Sequence, residues 1–295
     1  MRGVYRAKIT AQRILRFLAT LPLRILGSED QSRIVEHFFA SIVTTIEVNN
    51  NVLRFMAATP ILQWRARTAL SKEPDTTSWI DEFGPNDILW DIGANVGVFS
   101  VYAAKLRGVG VLAFEPAADN YMVLCRNVEI NELARRVIPY CLAFAKKSSL
   151  GVLNSNSSAI GSSLRQFGDP GVTSQYWPTE IGSHAQGMIG FSIDDFIRQF
   201  NPTFPTHIKI DVDGLEIDIL RGAVATLSDD RMRSIMVELN VGNDVERNEG
   251  VALLSSAGFE LVSQGDIQES AGVRVANHFF AKKQEDDVTE TGVGV

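Results

Sequence analysis

The stretch DILWDIGANVGVFS, residues 87–100, decides which fold this sequence can adopt. It begins as an apolar strand, reaches an acid at Asp91, bends at a turn that contains Gly93 and Gly97, and continues as a helix. A strand, a glycine turn and a helix in this order bring bare backbone close to a ligand, which is typically a nucleotide. The stretch therefore predicts one strand–turn–helix unit of a nucleoside-binding sheet.

The segments that follow repeat this alternation of strand and helix. The predicted strands are 87–93, 108–116, 136–145, 207–212, 233–240, 259–264 and 277–283. The predicted helices are 95–106, 118–131, 192–200, 216–227 and 248–258. Such alternation predicts a doubly wound α/β sheet of parallel strands, whereas the final helix, strand, turn and strand predict an antiparallel pair.

Three other segments have their own composition. Residues 1 to about 80 are predicted to form a mainly helical extension, because apolar residues recur at helical spacing within 32–48. Residues 148–190 are rich in Ser, Gly, Asn and Pro, which predicts a long irregular binding loop. Residues 284–295 are acidic and glycine-rich, which predicts a disordered tail. We therefore expect one enzyme domain at 81–283.

The composition limits the class of function. The chain has 295 residues, a net charge of −7 and 45% apolar residues, which suit a large globular core and disfavour nucleic acid as the main partner. Its two cysteines, Cys125 and Cys141, exclude a disulfide framework and a cysteine zinc site, so we expect a reducing, cytoplasmic compartment.

The first 28 residues carry six basic side chains and no acid. Arginines interrupt the apolar residues too often for a signal peptide or a membrane span. The segment is predicted to be a basic amphipathic helix that either packs on the domain or touches an anionic membrane surface.

The glycine turn departs from the fingerprint G-x-G-x-x-G that binds dinucleotides. Asn95 and Val98 stand at the second and third glycine positions, so the backbone cannot approach a pyrophosphate in the usual way. Asp91 suits a cationic ligand, and Glu115, at the end of the next strand, is placed to accept hydrogen bonds from both ribose hydroxyls. A nucleoside with positive charge and no phosphate is S-adenosylmethionine, which we expect as the cofactor.

Six motifs then follow one another in a recognisable order. They are DIGANVGVFS, AFEP followed by Asn120 and Asn127, GSSL, SIDDF, KIDVDGLEIDILRGA and VELN. In this order, over roughly residues 80–283, the sequence resembles the FkbM-type methyltransferases. The resemblance implies a class I, Rossmann-like methyltransferase with a seven-stranded sheet whose last strand is antiparallel. It also implies transfer from S-adenosylmethionine to hydroxyl groups of sugars, polysaccharides or natural products.

The resemblance assigns cofactor roles position by position. The motif implied to hold the methionine end comprises Asp91, Gly93, Asn95 and Gly97. The other implied positions are Glu115 for the ribose, Pro116 after it, Ala143 and Phe144 beside the adenine, Ser162 in a loop near the cofactor, and Asp211 beside the transferable methyl group.

Methyl transfer to a hydroxyl is helped by a general base. The candidates are Asp211, Asp213, Glu216, Glu238 and His184. Asp211 is the leading candidate, whereas Glu216 serves equally well as a helix cap or as the partner of a cation. The family usually has Glu where Asp213 stands. Lys209 is interpreted as a snorkelling or ion-paired lysine.

Several alternatives stay open. Asp211, Asp213, Glu238 and Asn240 also offer the oxygen ligands that Mg²⁺ selects. Tyr176 and Trp177 either stack on a sugar face or pin their loop. An NAD-type oxidoreductase is a competing function that the missing glycines and the acid before the turn disfavour. A nucleoside-binding relative without turnover is the third possibility.

Overall fold

The computed structural model describes residues 27–68, 70–155, 157, 159–163, 165–168, 184–270 and 272–283. The chain divides into two compact units, Met1–Val43 and Thr44–Val295. Tyr176, Trp177, most of the basic N-terminal segment and the acidic tail lie outside the described residues. The expectations for them stay predictions.

One helix, Ser28–Ser41, belongs to the first unit, and helices and strands alternate through most of the second unit. The helices are α1 (Ser28–Ser41), α2 (Pro60–Thr68), α3 (Pro74–Asp81), α4 (Val98–Tyr102), α5 (Ala118–Ile130), α6 (Ile193–Phe200), α7 (Glu216–Arg221), α8 (Val224–Ser228) and α9 (Asp244–Ser256), and a π-helical turn, Ala103–Arg107, continues α4. The strands are β1 (Val43–Val48), β2 (Asn51–Met56), β3 (Ile88–Ile92), β4 (Gly110–Phe114), β5 (Val137–Tyr140), β6 (Ala143–Phe144), β7 (Ser149–Ser155), β8 (Arg165–Gly168), β9 (His184–Phe191), β10 (His207–Ile210), β11 (Ser234–Asn240), β12 (Phe259–Gln264), β13 (Gln268–Ser270) and β14 (Val273–Lys282). None of the helices in the described part of the chain has the length and apolar character needed to cross a membrane.

The central sheet has the strand order β12-β14-β11-β10-β3-β4-β5, and the short strand β13 also pairs with β14. Five neighbouring strands of this sheet are parallel, namely β5, β4, β3, β10 and β11. By contrast, β14 is antiparallel to both β11 and β12. The predicted doubly wound α/β sheet with an antiparallel ending is confirmed. The chain winds from β3 through β4 to β5 and then returns to place β10 on the other side of β3. The carboxyl ends of β3 and β10 therefore border a crevice of the kind in which open α/β sheets bind ligands.

Two apolar layers cover the faces of the central sheet. One layer contains Trp90 and Phe114 and packs against α6 to α9. The other contains Leu89 and Val111 and packs against α3 to α5. Because side chains alternate along a strand, Asp91 faces the same layer as Leu89. An acid thus stands on the buried face of β3, with only 1% of its surface exposed.

The prediction of helix is wrong for residues 43–56. β1 and β2 form a two-stranded hairpin there, and its turn is made by Asn49 and Asn50, with φ of 49° and 63°. The β-branched residues of VTTIEV favour a strand, and asparagine tolerates the left-handed turn that such a hairpin requires. A tertiary contact also fixes the hairpin, since the backbone N–H of Met56 donates to Asn127 Oδ1 at 2.8 Å.

The prediction of an irregular loop over 148–190 is wrong for residues 149–155, 165–168 and 184–190, which form strands. β7, β8 and β9 join β6 in a second sheet of order β6-β9-β7-β8. A Cβ added at Gly151 or Gly190 would lie 2.7 or 2.3 Å from the ring of Phe167. These glycines therefore make room for an aromatic ring, although the composition of the segment that contains them is typical of a loop. The predicted strand 136–145 likewise divides between the two sheets, as β5 and β6.

Candidate active site

A cavity opens at the carboxyl ends of β3, β4, β10 and β11, and charged residues dominate its lining. The lining acids are Glu73, Glu115, Asp211, Asp213 and Glu238. The lining bases are Arg65, Lys72, Arg165 and Lys209. The other lining residues are Gly93, Ala94, Asn95, Val96, Val98, Phe99, Pro116, Asn120, Ser162, Ser163, Val212, Gln268 and Val275. Five acids and four bases thus face one another across the cavity, so both signs of charge are available to a ligand.

The turn after β3 brings bare backbone to the cavity, as its sequence predicts. Gly93 has φ of 81°, and a Cβ added there would lie 1.9 Å from the carbonyl oxygen of Asp211. The N–H groups of Gly93 and Ala94 both donate to the carbonyl of Phe114 at 3.0 Å. Three strand ends thus meet at a point where no side chain fits.

Gly97 has a different role from the one that the resemblance implies. It is absent from the cavity lining, and a Cβ added to it would lie 2.3 Å from Leu124 Cδ1. The residue therefore allows the start of α4 to approach α5, and it acts on the site through packing.

Asn95 and Glu115 are held together beside the turn. The backbone N–H of Asn95 donates to Glu115 Oε2 at 2.8 Å, and the N–H of Ala117 donates to Oε1 at 2.9 Å. Asn95 Nδ2 donates to the carbonyl of Ser162 at 3.3 Å. Asn95 Oδ1 is buried and accepts no hydrogen bond from the described residues. The predicted ribose acid and its neighbour therefore both line the cavity, and one buried acceptor is unfilled.

Burial raises the pKa of Glu115 to about 7, and the two backbone N–H donors partly oppose that rise. A carboxyl with this pKa changes its charge near neutral pH. Any ligand that needs the carboxylate form will therefore bind with a pH dependence in that range.

Asp91 does not line the cavity, although the sequence predicts that it faces the ligand. Ser100 Oγ donates to Asp91 Oδ2 at 2.5 Å, and Lys209 Nζ lies 3.8 Å from Oδ1. The same ammonium donates to Asp211 Oδ2 at 2.8 Å. Lys209 is thus the ion-paired lysine that the sequence suggests, and it stands between Asp91 and the acid that does reach the cavity.

This pairing sets the charge of both acids. Burial raises the pKa of Asp91, against the opposing effect of Lys209. Burial also acts to raise the pKa of Asp211, but the ammonium of Lys209 outweighs it and the pKa is lowered. Asp211, with 30% of its side chain exposed, is therefore a carboxylate of low basicity at the mouth of the cavity.

The other predicted acids divide into two groups. Asp213 lines the cavity and accepts the backbone N–H of Arg165 at 2.8 Å. Glu238 also lines it, and burial together with the neighbouring Asp211 raises the pKa of Glu238 well above its usual value. Glu216 does not line the cavity, and its carboxylate turns back to accept the backbone N–H groups of Val212 and Gly214, in the loop that precedes α7. Neither N–H group belongs to α7, and no side chain caps the start of this helix, so the predicted capping role of Glu216 is not observed.

Three further predicted residues lie away from the cavity. Ala143 and Phe144 are buried, and the ring of Phe144 stacks 6.1 Å from that of Trp90. Their apolar side chains pack inside the domain, and neither residue is part of the cavity lining. His184 is exposed at the start of β9 and is not part of the cavity lining. Ser162, by contrast, lines the cavity, and its carbonyl also accepts Asn120 Nδ2 at 3.1 Å.

Four charged lining residues are absent from the sequence prediction. They are Arg65, Lys72, Glu73 and Arg165. The first three precede the glycine turn, and no spacing in the sequence relates them to it. The guanidinium of Arg165 donates two hydrogen bonds, of 2.5 and 2.7 Å, to the carboxylate of Asp119. Its Nε is buried and has no acceptor among the described residues.

A metal site would need oxygen or nitrogen ligands that converge. Within the described ranges, no group of three or more His, Cys, Asp and Glu side chains is arranged to hold a metal ion. The arrangement does offer a hydroxyl-binding acid, a bare turn and several carboxylates for a cationic ligand.

Comparison with known proteins gives consistent relatives. The model of the methyltransferase FkbM domain matches residues 91–261. The hexuronic acid methyltransferase AglP of Haloferax volcanii is 26% identical over 211 residues, which are 72% of this chain and 79% of that protein. Methyltransferase sdnD of Sordaria araneosa is 27% identical over 60% of this chain and 74% of its own length. The 31-O-demethyl-FK506 methyltransferase FkbM of Streptomyces tacrolimicus is 26% identical over 63% of this chain and 77% of its own length.

The Gly93 turn gives a direct test of the site's backbone geometry. We expect Gly93→Ala to lower the free energy of unfolding by at least about 2 kcal/mol, because the added Cβ meets a backbone oxygen and the φ is left-handed. Urea denaturation measures the change. Gly187→Ala is the matched control, since a Cβ there meets nothing within 4 Å, and it should change stability by less than about 0.5 kcal/mol. Equal effects of the two substitutions would contradict this account of the turn.

Proposed function

The chain belongs to the FkbM methyltransferase family, and on that premise we propose that it transfers a methyl group from S-adenosylmethionine to a hydroxyl group. The acceptors that we propose are sugars, polysaccharides or secondary metabolites. The names of the relatives support this range, because one is a hexuronic acid methyltransferase and another is a 31-O-demethyl-FK506 methyltransferase.

The observation that carries the proposal is the pairing of Glu115 with Asn95 on the bare turn. Glu115 keeps unused acceptor capacity, because each of its oxygens takes one backbone N–H and a carboxylate oxygen can accept two hydrogen bonds. It is therefore suited to the two hydroxyls of a ribose. Asn95 Oδ1 is an unfilled acceptor, which suits the ammonium of the methionine end.

The unfilled buried atoms of the cavity fit such a cofactor. Buried polar atoms without partners are costly, so a ligand that completes them gains affinity. Asn95 Oδ1 needs a donor and Arg165 Nε needs an acceptor, and S-adenosylmethionine carries both kinds of group. Asp211, kept ionised by Lys209, adds a fixed negative charge for the cationic end.

A dinucleotide suits the same cavity less well. The side chain of Asn95 occupies the second glycine position and is tied to the carbonyl of Ser162. This obstruction of the backbone supports the methyl donor over NAD.

For the acceptor side we propose Glu238 as the general base. Asp211 is the leading candidate from sequence, but its ion pair with Lys209 makes it a poor proton acceptor. Glu238 lines the same cavity, and its pKa is raised. A carboxylate whose pKa is raised is a stronger base than one whose pKa is lowered, so it takes a proton more readily from a hydroxyl in the transition state.

Each of these residues then has a distinct role in the proposed in-line displacement. When bound, S-adenosylmethionine supplies a methyl group that its sulfonium activates. The remainder of the donor is S-adenosylhomocysteine, the leaving group. Glu238 takes the hydroxyl proton as the acceptor oxygen forms its bond to the methyl carbon and the carbon–sulfur bond breaks. Asp211 and Glu115 align the donor, and alignment is the main contribution that such a reaction needs from the protein.

Binding of the cofactor is the first test. We expect calorimetric titration to give micromolar binding of S-adenosylmethionine and no saturable binding of NAD. Incubation with a panel of neutral and acidic glycans and hydroxylated metabolites should then give methylated product detectable by mass spectrometry. Tight NAD binding would overturn the proposal, and donor binding without any methylated product across the panel would favour the relative that lacks turnover.

Replacement of the proposed base is the second test. Glu238→Gln should lower kcat by roughly 10²–10⁴-fold, the usual contribution of a general base, while donor affinity stays within about twofold. Glu260→Gln, an exposed change on β12, is the control and should leave both quantities unaltered. If Glu238→Gln keeps wild-type kcat, the base is another group.

The pKa of Glu115 predicts a pH dependence that a truncated ligand isolates. Methylthioadenosine keeps the ribose but lacks the amino acid, so its binding reports on Glu115 alone. Hydroxyl donors favour the carboxylate, which forms as pH rises through about 7, so affinity should increase roughly tenfold between pH 6 and 8. Calorimetry on Glu115→Gln should give a flat profile. A flat profile in the wild type would show that Glu115 does not meet the ribose in its ionised form.

A further inference from the structure

Arg65 differs from the other three bases that line the cavity in its interactions with carboxylates. The other three each have a carboxylate partner: Lys209 with Asp211 at 2.8 Å, Lys72 with Glu73 at 3.1 Å, and Arg165 with Asp119 at 2.5 Å. Arg65 forms no ion pair with any described residue. A guanidinium in a cavity without a carboxylate partner is suited to bind an anion.

The helix that carries Arg65 is packed closely against the cavity wall. Arg65 Nε donates to the carbonyl of Gly161 at 2.5 Å, and one terminal nitrogen reaches Ser163 Oγ at 3.5 Å. A Cβ added to Gly161 would lie 3.0 Å from Ile61 and from Leu62, so α2 presses on this loop. The stem of Arg65 is therefore fixed, while its remaining N–H donors find no acceptor among the described residues.

The surrounding charges restrict which anion can bind. Burial acts to lower the pKa of Arg65, and the nearby carboxylates of Asp211 and Glu115 oppose that change. An isolated anion would be repelled by these acids. An anion that arrives with positive charge on the same molecule would be accepted, because the acids bind the cation and Arg65 binds the anion.

We propose that Arg65 binds the α-carboxylate of the methyl donor. The inference rests on the proposed function, since the methionine end of S-adenosylmethionine carries a carboxylate together with an ammonium and a sulfonium. It extends the donor site beyond the part of the chain that the family model matches, residues 91–261. The guanidinium, with its planar set of donors, can hold both carboxylate oxygens.

The experiment compares two donors that differ only in the carboxylate. Calorimetry measures the affinities of S-adenosylmethionine and of decarboxylated S-adenosylmethionine for wild type, Arg65→Met and Arg67→Met. We expect wild type to prefer the carboxylated donor by about 10- to 100-fold, the usual effect of a charged hydrogen-bonded pair. Arg65→Met should lose this preference by weakening only the carboxylated donor. Arg67, exposed on the same helix, is the matched control, and Arg67→Met should keep the preference.

Other outcomes overturn the proposal in distinguishable ways. Equal weakening of both donors by Arg65→Met would assign Arg65 a structural role. An unchanged preference combined with selective loss of turnover on carboxylate-bearing acceptors would assign its anion to the acceptor. If Arg65→Met does not fold by circular dichroism, Arg65→Lys, which keeps the charge but loses the planar donor pair, should reduce the preference; a wild-type preference there would contradict the proposal. A wild-type protein that binds neither donor would contradict the proposed function itself.

Discussion

The absence of a side chain at Gly93 is the constraint on which the site depends. The chain turns there against the backbone of the neighbouring strand end, in a space that a single methyl group would fill. Because the turn is that tight, the ends of β3, β4 and β10 meet at one edge, and Glu115, Asn95 and Asp211 reach the same cavity. A bulkier residue would separate those ends, and the hydrogen bond between Asn95 and Glu115 would be lost with them.

The buried ammonium of Lys209 is the second organising element. Two acids on adjacent strands face the same side of the sheet, and both cannot stay ionised in an apolar layer without a nearby cation. Lys209 lies between them and directs one to the interior and the other to the cavity. Asp91 therefore acts on a ligand only through its neighbour. The acid that the sequence marks most clearly is thus one that does not line the cavity.

Features of the fold and the site that depend on neighbouring residues could be predicted from the sequence, whereas features that depend on distant residues could not. The apolar runs at β3, β4, β10 and β11, the glycine turn and Glu115 at a strand end are local patterns, and the structure places each as the sequence predicts. The second sheet was predicted wrongly because a residue distant in sequence decides it: the ring of Phe167 fills the space beside Gly151 and Gly190. The hairpin at 43–56 does have local strand and turn patterns, and a distant hydrogen bond to Asn127 fixes it. The sequence did not indicate that Arg65 belongs to the site, because no spacing relates it to lining residues such as Gly93 and Ser163, which lie roughly thirty and a hundred positions away.

The sequence by itself determined the alternation of strand and helix, the antiparallel ending, the bare turn and the acids at the strand ends, because periodicity and backbone freedom are encoded within a few neighbouring residues. Only the tertiary structure decided which of those acids meet solvent, which turn inward to Lys209 or to a loop backbone, and which cations from earlier in the chain join them. Charge and burial at one place depend on every element packed there, and a single segment does not contain that information.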